Sequence, residues 1–399
     1  MQKQQWLRPS KVSIPLHNPM TKYYDLTVTL GDEVLVGQQI ATRYNQDVRL
    51  PVFSSVSGVV KEVKSLEYIN GIAMDHLVIE NNKADQSVSP KPLRKPFTAQ
   101  LLRSHFTAMG VEGLDQSGLY TAIDFTKNVK QVIVNAAYEN APFVDAKVAW
   151  FADDTTALVE GALLLSQAAL APVTVLTDRR ELATALQQAG VAFKMVRPKA
   201  QKAWQVEAIQ QLIKKRPPYD LFEVGVMYTN AHTVKAMYDA VERGVPVTTT
   251  EVVVLADDPA NQRWVEVKIG TNVSELMEFL SIAPPPGEHA WFNGSVLSGG
   301  AMKSDAFVVH SDASTIGVTS SILEEDVCIK CGLCNDVCPV GILPQNIMDA
   351  EIRVAEDRIY DYRVDQCVEC GLCSYVCPSE INVLEWVRRA KRRVARGVE

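Results

Sequence analysis

Residues 328–339 read C-I-K-C-G-L-C-N-D-V-C-P, and residues 367–378 read C-V-E-C-G-L-C-S-Y-V-C-P. The two runs hold all eight cysteines of the 399-residue chain, and they share the spacing C-x-x-C-x-x-C-x-x-x-C-P. Gaps of two residues let a short loop present several soft thiolates to one metal centre. Gly332 and Gly371 stand where such a loop turns most sharply, and glycine adopts positive φ at no steric cost. The spacing therefore predicts two metal-binding loops near the end of the chain.

This spacing is typical of bacterial ferredoxins with two [4Fe-4S] clusters, in which the fourth cysteine of each run binds the other cluster. The predicted ligands of the first cluster are Cys328, Cys331, Cys334 and Cys377. The predicted ligands of the second cluster are Cys367, Cys370, Cys373 and Cys338. Two such clusters imply one-electron transfer in a reducing, largely anaerobic setting.

Two other uses of cysteine fit the chain less well. Zinc sites pair two C-x-x-C units or include histidine, whereas here the third and fourth cysteines follow at once and no histidine lies between 311 and 399. A disulfide framework is typical of small secreted domains, and this chain has no cysteine in its first 327 positions.

Composition limits the remaining classes of function. A hydrophobic content of 47% is enough for well-packed cores in several domains. The formal net charge of −7 argues against a nucleic-acid partner. Residues 1–10 are polar and do not predict a signal peptide. The most apolar stretch, 157–176, is interrupted by Glu160 and Pro172, so we expect a buried helix followed by a strand.

Changes of pattern along the chain predict an α/β multidomain fold. Short alternating runs with turn glycines at Gly31 and Gly37 indicate a β domain of the barrel-sandwich (biotinyl or lipoyl) type, although no lysine occupies the hairpin that carries a prosthetic group in such domains. Strand and helix patterns then alternate, as in a Rossmann-like α/β domain with a mainly parallel sheet. Expected there are strands at 131–135, 173–176 and 221–227, and helices at 155–170, from about 178 and at 231–243.

The last third of the chain predicts further units. A strand, turn, strand and helix at 252–280 suit a β-grasp (SLBB-like) unit. The predicted domains are the barrel sandwich at 1–90, the α/β domain at 98–245, the β-grasp unit at 246–283, a connecting β segment at 284–320 and the two-cluster ferredoxin domain at 321–399.

The closest family motifs are V-T-L-G-D-E-V-L-V-G-Q-Q-I-A at 28–41, Glu242-Arg243-Gly244-Val245-Pro246, Ile269-Gly270-Thr271 and the cysteine-rich tail. With this order of domains, the chain resembles the C subunit of Rnf-type electron transport complexes (RnfC-like). Its α/β and β-grasp parts are similar to the NADH- and FMN-binding subunit of respiratory complex I. The resemblance implies a path in which flavin passes single electrons to iron-sulfur clusters.

The flavin site is where the sequence departs from this resemblance. Family members carry G-L-G-G-A-G-F-P-T, whereas residues 113–121 read G-L-D-Q-S-G-L-Y-T. Asp115 and Gln116 replace two glycines whose bare backbone approaches the FMN phosphate, and a carboxylate there repels the phosphate. We therefore expect a degenerate flavin site, with FMN disfavoured as a cofactor.

Four residues remain as candidates for that degenerate FMN and NADH site. Gly113, Gly118 and Thr121 keep the frame of the loop, and Glu139 is the surviving acid of a segment that in the family reads N-G-A-E-C-E-P-Y. A different ligand in the same cleft stays open as an alternative.

The leading hypothesis is an iron-sulfur electron-transfer protein of the RnfC type, which relays electrons between redox partners and has no catalytic residues of its own. One alternative is an NADH-dependent flavin reductase that feeds its clusters, as in cobalamin reductases or carriers for amino-acid reductases. Another is a scaffold in which the clusters are only structural.

The partners expected from this hypothesis are ferredoxin, flavodoxin or other subunits of an electron-transport complex. The predicted location is the cytoplasm, with peripheral attachment to the inner face of the cell membrane as part of a complex. Six cations between Arg388 and Arg396 form a basic helix end, which is either a docking site for an acidic partner or membrane, or a solvated helix terminus. Lys330 in the first loop and Glu369 in the second predict that the first cluster is reduced more easily.

Overall fold

The computed structural model contains four packed units, described in chain order below. The described residues are 3–4, 8–17, 21–46, 48–67, 73–111, 123–137, 154–198, 201–218, 220–258, 261–311, 313, 315–320 and 324–396. Within them, no helix is both long and apolar enough to cross a membrane.

The first unit consists of two small antiparallel sheets around one core. Its strands are β1 (Lys3–Gln4), β2 (Lys11–Pro15), β3 (Tyr23–Leu26), β4 (Glu33–Val34), β5 (Gln39–Tyr44), β6 (Arg49–Phe53), β7 (Gly58–Glu67) and β8 (Ala73–Asn81). The strand orders are β2-β8-β7-β4 and β3-β5-β6, while β1 joins a later sheet. Ile14, Ile40 and Leu77 from both sheets share the core. Gly31 and Gly37 have positive φ, as the turn prediction required.

The second unit is an α/β domain built on a four-stranded sheet. Its elements are α1 (Ala99–Ala108), β9 (Gln131–Asn135), α2 (Thr155–Ala169), β10 (Val173–Thr177), α3 (Arg180–Gln188), β11 (Ala192–Met195), α4 (Gln201–Ile213), β12 (Val226–Asn230) and α5 (Ala231–Tyr238). The strand order is β11-β10-β9-β12, and all neighbouring strands are parallel. Buried aliphatic side chains of α2, α5 and the sheet fill one face. The mainly parallel sheet expected from the sequence is present.

Local signals explain where most of these elements begin and end. The Asn230 side chain accepts a hydrogen bond from the Thr233 backbone N–H and so caps α5, as predicted. The helix expected from about residue 178 begins at Arg180, and its cap residue Arg179 makes no side-chain cap bond. The strand expected at 221–227 is wrong at its start. Leu221–Val224 forms a 3₁₀ turn because the Asp220 carboxylate accepts the Phe222 N–H, and the strand begins at Val226.

The third unit is a mixed six-stranded sheet covered by one helix. Its elements are β13 (Thr249–Leu255), β14 (Arg263–Lys268), α6 (Val273–Phe279), β15 (Ala290–Asn293), β16 (Gly300–Met302) and β17 (Thr315–Thr319). The strand order is β1-β14-β13-β17-β15-β16. The predicted boundary at residue 284 therefore falls inside one sheet, because β17 pairs with β13 on one side and β15 on the other.

The fourth unit is a small helical domain that holds both cysteine runs. Its helices are α7 (Leu333–Asp336), α8 (Pro344–Ile352), α9 (Glu356–Asp361), α10 (Leu372–Tyr375) and α11 (Val383–Arg396). The buried Glu351 of α8 accepts two hydrogen bonds from Arg393 of α11, at 2.9 and 2.8 Å. This bidentate pair fixes the long last helix across the domain.

Candidate iron-sulfur site

The two cysteine loops have the same backbone conformation. Gly332 and Gly371 have φ values of 81° and 78° and lie directly before the one-turn helices α7 and α10. Two residues earlier in each loop, Lys330 and Glu369 also have positive φ, at 56° and 51°. Non-glycine residues adopt this conformation only where surrounding structure imposes it. The repeated spacing thus produces the same tight loop twice.

The second loop forms a buried cysteine group that includes one residue of the first run. Cys367, Cys370 and Cys373 are each 8% exposed. Together with Cys338 they line one small cavity. Burial is the main cause that raises the pKa of the Cys373 thiol, and the nearby Cys370, Cys367 and Cys338 raise it further.

The first loop lies in a second group of cysteines, which includes one residue of the second run. The pKa of the Cys334 thiol is raised mainly by burial, and the nearby Cys377 and Cys328 raise it further. Cys377 belongs to the second run, so the fourth cysteines of the two runs have exchanged places. Cys331 of the same loop is exposed.

The chemistry of these donors fits a cluster. Burial raises the pKa of Cys367 to about 12, although the Glu369 backbone N–H donates to its Sγ at 3.4 Å and favours the thiolate. Buried thiols of this kind ionise when a metal centre supplies positive charge. In the described residues, no three His, Cys, Asp or Glu side chains are arranged to hold a single metal ion. A cubane cluster does not require several ligands around a single metal ion, because each of its four thiolates binds a different iron.

The two groups differ in their surroundings. A Cβ on Gly371 would lie 2.0 Å from the Leu297 backbone oxygen, so the second loop is pressed against the six-stranded unit. Val206 of α4 also packs in the core around Cys367 and Cys373. The first loop instead carries Val327 at 78% exposure on its outer side. One cysteine group therefore faces the interior of the chain and the other faces solvent.

The basic end of α11 is tied into this site. Arg388 and Lys391 contact the Glu369 carboxylate at 2.9 and 3.2 Å, and Lys391 also donates to the Cys367 carbonyl at 3.0 Å. Arg393 pairs with Glu351, and Arg392 with Glu385. These ion pairs favour an internal role for the basic helix. The charge of Glu369 is thus offset by cations, which sequence reasoning missed because the partners lie 19 and 22 positions further along the chain.

The candidate flavin residues Gly113, Gly118, Thr121 and Glu139 lie outside the described residues. Nearby, β9 ends at Asn135, whose side chain accepts the Ala137 N–H at 3.0 Å at the carboxyl edge of the sheet.

A cavity of about 640 Å³, which no sequence motif predicted, also lies beside the cluster domain. Lys194, Arg197 and the buried Trp204 line it, together with Pro339, the residue after Cys338. Its walls come from two distant segments of the chain, so no local pattern marks it.

Comparison with known proteins identifies matching domains for the first and the last of the four units. Residues 2–84 match the RnfC barrel sandwich hybrid domain, and residues 327–381 match the 4Fe-4S dicluster domain. The C subunit of the ion-translocating oxidoreductase complex of Serratia proteamaculans is 25% identical over an alignment of 360 positions, gaps included, which covers 85% of this chain and 51% of that protein. The chain is RnfC-like.

Other C subunits of this complex give the same result for the RnfC-like chain. The Edwardsiella ictaluri protein is 27% identical over an alignment of 412 positions, gaps included, which covers 96% of this chain and 50% of that protein. The Vibrio cholerae protein is 25% identical, covering 85% of this chain and 46% of that protein. The RnfC-like chain spans about half the length of the curated relatives it matches.

Among solved structures, an NAD⁺-reducing [NiFe]-hydrogenase aligns with 76% of the RnfC-like chain and 66% of its own chain, at 14% identity and a TM-score of 0.46. The predicted barrel-sandwich domain and C-terminal two-cluster domain are confirmed by the family matches, and [4Fe-4S] clusters are the cofactors that these matches support.

Proposed function

We propose that this chain is an iron-sulfur electron-transfer protein that relays single electrons between redox partners. The observation that carries the proposal is the exchange of the two fourth cysteines, Cys338 and Cys377, between the two thiol groups. With Cys331 as the fourth ligand of the first group, this exchange would give two four-thiol sites, the arrangement that bacterial two-cluster ferredoxins use.

The proposed ligands follow from that arrangement. The solvent-facing cluster takes Cys328, Cys331, Cys334 and Cys377. The interior cluster takes Cys367, Cys370, Cys373 and Cys338. When bound, the clusters would supply one-electron redox chemistry, and the protein's own groups would set their potentials. The N–H of Glu369 and the cations Arg388 and Lys391 favour negative charge at the interior site.

The difference in burial between the two cysteine groups supports an electron path between the interior of the chain and its surface. The interior cluster would exchange electrons with a redox ligand held by the α/β or six-stranded unit, and the solvent-facing cluster with a partner protein. Because the relatives are named subunits of an ion-translocating oxidoreductase complex, we further propose a location at the cytoplasmic face of such a complex, with its other subunits as partners. The predicted domain boundaries, except the one at residue 284, are part of the same proposal.

Anaerobic reconstitution followed by metal and flavin analysis tests the proposal. We expect about eight irons per chain, no acid-extractable flavin and no oxidation of NADH with an artificial electron acceptor. Bound zinc in place of iron would contradict the proposal. Stoichiometric FMN together with NADH oxidation would replace it by the flavin-reductase alternative.

A further inference from the structure

The face around the first cysteine loop combines exposed apolar side chains with acidic ones. Val327, Ile329 and Leu333 are 78%, 68% and 46% exposed. Tyr375 is 61% exposed and lies on α10, which packs against α7. Hydrogen bonds at 3.0 Å from Asp326 N to Ser379 O and from Ser379 Oγ to Val327 O hold the two contributing segments together. We call this surface the cluster face.

A group of exposed apolar side chains of this kind usually marks an interaction site. Large aliphatic and aromatic groups on a rigid surface are the usual centre of a protein contact, and tyrosine is a favoured anchor. Cys331 is exposed in the middle of the cluster face, so a docked protein would come close to the solvent-facing site. Short distance is what electron transfer between proteins requires.

The charge around this apolar centre is mostly negative. Within residues 324–336 and 375–380, the exposed carboxylates are Glu324, Glu325, Asp326, Asp336 and Glu380, against the single exposed cation Lys330. Four thiolates around a [4Fe-4S] core add further negative charge when the site is loaded. A partner with a negative rim would be repelled, whereas one with a positive rim would be steered in.

We propose that the cluster face docks a redox protein whose contact surface has an apolar centre and a basic rim. The inference rests on the proposed function and names the partner chemistry of its solvent-facing cluster. In the transfer itself one electron leaves the reduced protein and one acceptor centre is reduced, with no bond made or broken. An acidic ferredoxin or flavodoxin does not have the charge that this face selects.

The test uses the reconstituted full chain and cytochrome c, a basic redox protein with an exposed haem edge. Binding is measured with zinc-substituted cytochrome c, which cannot accept the electron. The rate of ferric cytochrome c reduction by the dithionite-reduced chain is measured by stopped flow. Both measurements are repeated as ionic strength is raised.

The charge variant is Glu324→Lys with Glu380→Lys, two residues whose carboxylates make no hydrogen bond to other described residues. Its matched control is Asp357→Lys with Asp361→Lys on α9, which changes the net charge equally outside the cluster face. We expect the charge variant to weaken binding and slow reduction about tenfold at low salt, with the difference fading as salt screens it. The control should stay within about twofold of the parent.

The apolar variant is Ile329→Gln, with Ile352→Gln as its control because Ile352 is also exposed, at 55%. Binding should weaken only in Ile329→Gln. Equal effects in variant and control, binding that ignores salt, or tighter binding of an acidic flavodoxin to the parent than to the charge variant would overturn the inference. If dithionite does not reduce the parent protein, the proposed function fails instead, whatever cytochrome c does.

Discussion

His76 and His310 contact each other through their ring nitrogens, with 3.2 Å between the two Nε2 atoms. His76 lies in β8 of the barrel sandwich and is fully buried, and His310 belongs to the six-stranded unit and is 2% exposed. Because the other nitrogen of His76 lies 2.8 Å from the Met74 carbonyl and must donate to it, His76 Nε2 accepts and His310 donates. Two neutral imidazoles therefore join the two units.

This pair predicts a stability loss in mild acid. Burial lowers the pKa of His76 to about 4, and burial together with His76 and Arg43 lowers the pKa of His310 well below its usual value. The unfolded chain takes up protons first, below about pH 6.5. Stability is therefore fully present above that pH and is lost as pH falls towards 4, by on the order of 3 kcal/mol from His76 alone.

Thermal unfolding at pH 7.5 and pH 5.5 checks this prediction. His310→Gln keeps a donor for His76 and removes one titrating group, so its melting temperature should fall less between the two pH values than that of the parent. His289→Gln changes a half-buried histidine outside this pair and serves as the control. A parent-like pH dependence in His310→Gln would contradict the role of the pair.

Gly371 and Gly332 form a matched pair for testing the interior packing. Both have positive φ, but a Cβ at Gly371 would lie 2.0 Å from Leu297 O, whereas a Cβ at Gly332 meets nothing within 4 Å. Gly332→Ala should cost only backbone strain, about 1–2 kcal/mol. Gly371→Ala should cost several kcal/mol more, because the loop and the Leu297 backbone must separate. Urea unfolding and iron content measure both, and equal losses would rule out the close approach.

The potentials of the two clusters should respond to local charge. Glu369→Gln removes a negative charge and leaves Arg388 and Lys391 beside the interior loop, so the interior cluster should become easier to reduce by roughly 20–60 mV. Lys330→Glu should make the solvent-facing cluster harder to reduce, by less because its charge is exposed. Redox titration followed by EPR reports both shifts. Unchanged potentials in both variants would count against charge control.

The exchanged cysteines predict a clear result for two double variants. Cys331→Ala with Cys377→Ala alters one proposed cluster only, so one unperturbed [4Fe-4S] signal should remain. Cys331→Ala with Cys338→Ala alters both clusters, so no unperturbed signal should remain. If each run held its own cluster, Cys331 and Cys338 would share a site and the two outcomes would be reversed.

Local features of this protein were predictable from the sequence, and contacts between units were not. The positive φ of Gly332 and Gly371 and the Asn230 cap follow from short-range rules. The His76–His310 contact joins residues 234 positions apart, and it depends on how two finished units fit together. The Leu221–Val224 turn was missed because the Asp220 side chain competed with strand pairing.

At the candidate site, the ion-pair partners of Glu369 could not be predicted from the sequence for the same reason. The sequence placed this carboxylate in the loop, but its neutralisation depends on how α11 crosses the domain. The cluster face could not be derived either, since exposure of Val327 and Tyr375 is a property of the folded surface.

EPR spectroscopy of the reconstituted parent protein during stepwise reduction tests the central claim most directly. Two joined [4Fe-4S] clusters should each take up one electron, so full reduction by dithionite should give about two spins per chain with broadening from their mutual interaction. Iron that stays EPR-silent after dithionite, or a single isolated cluster, would contradict a two-cluster relay in this chain.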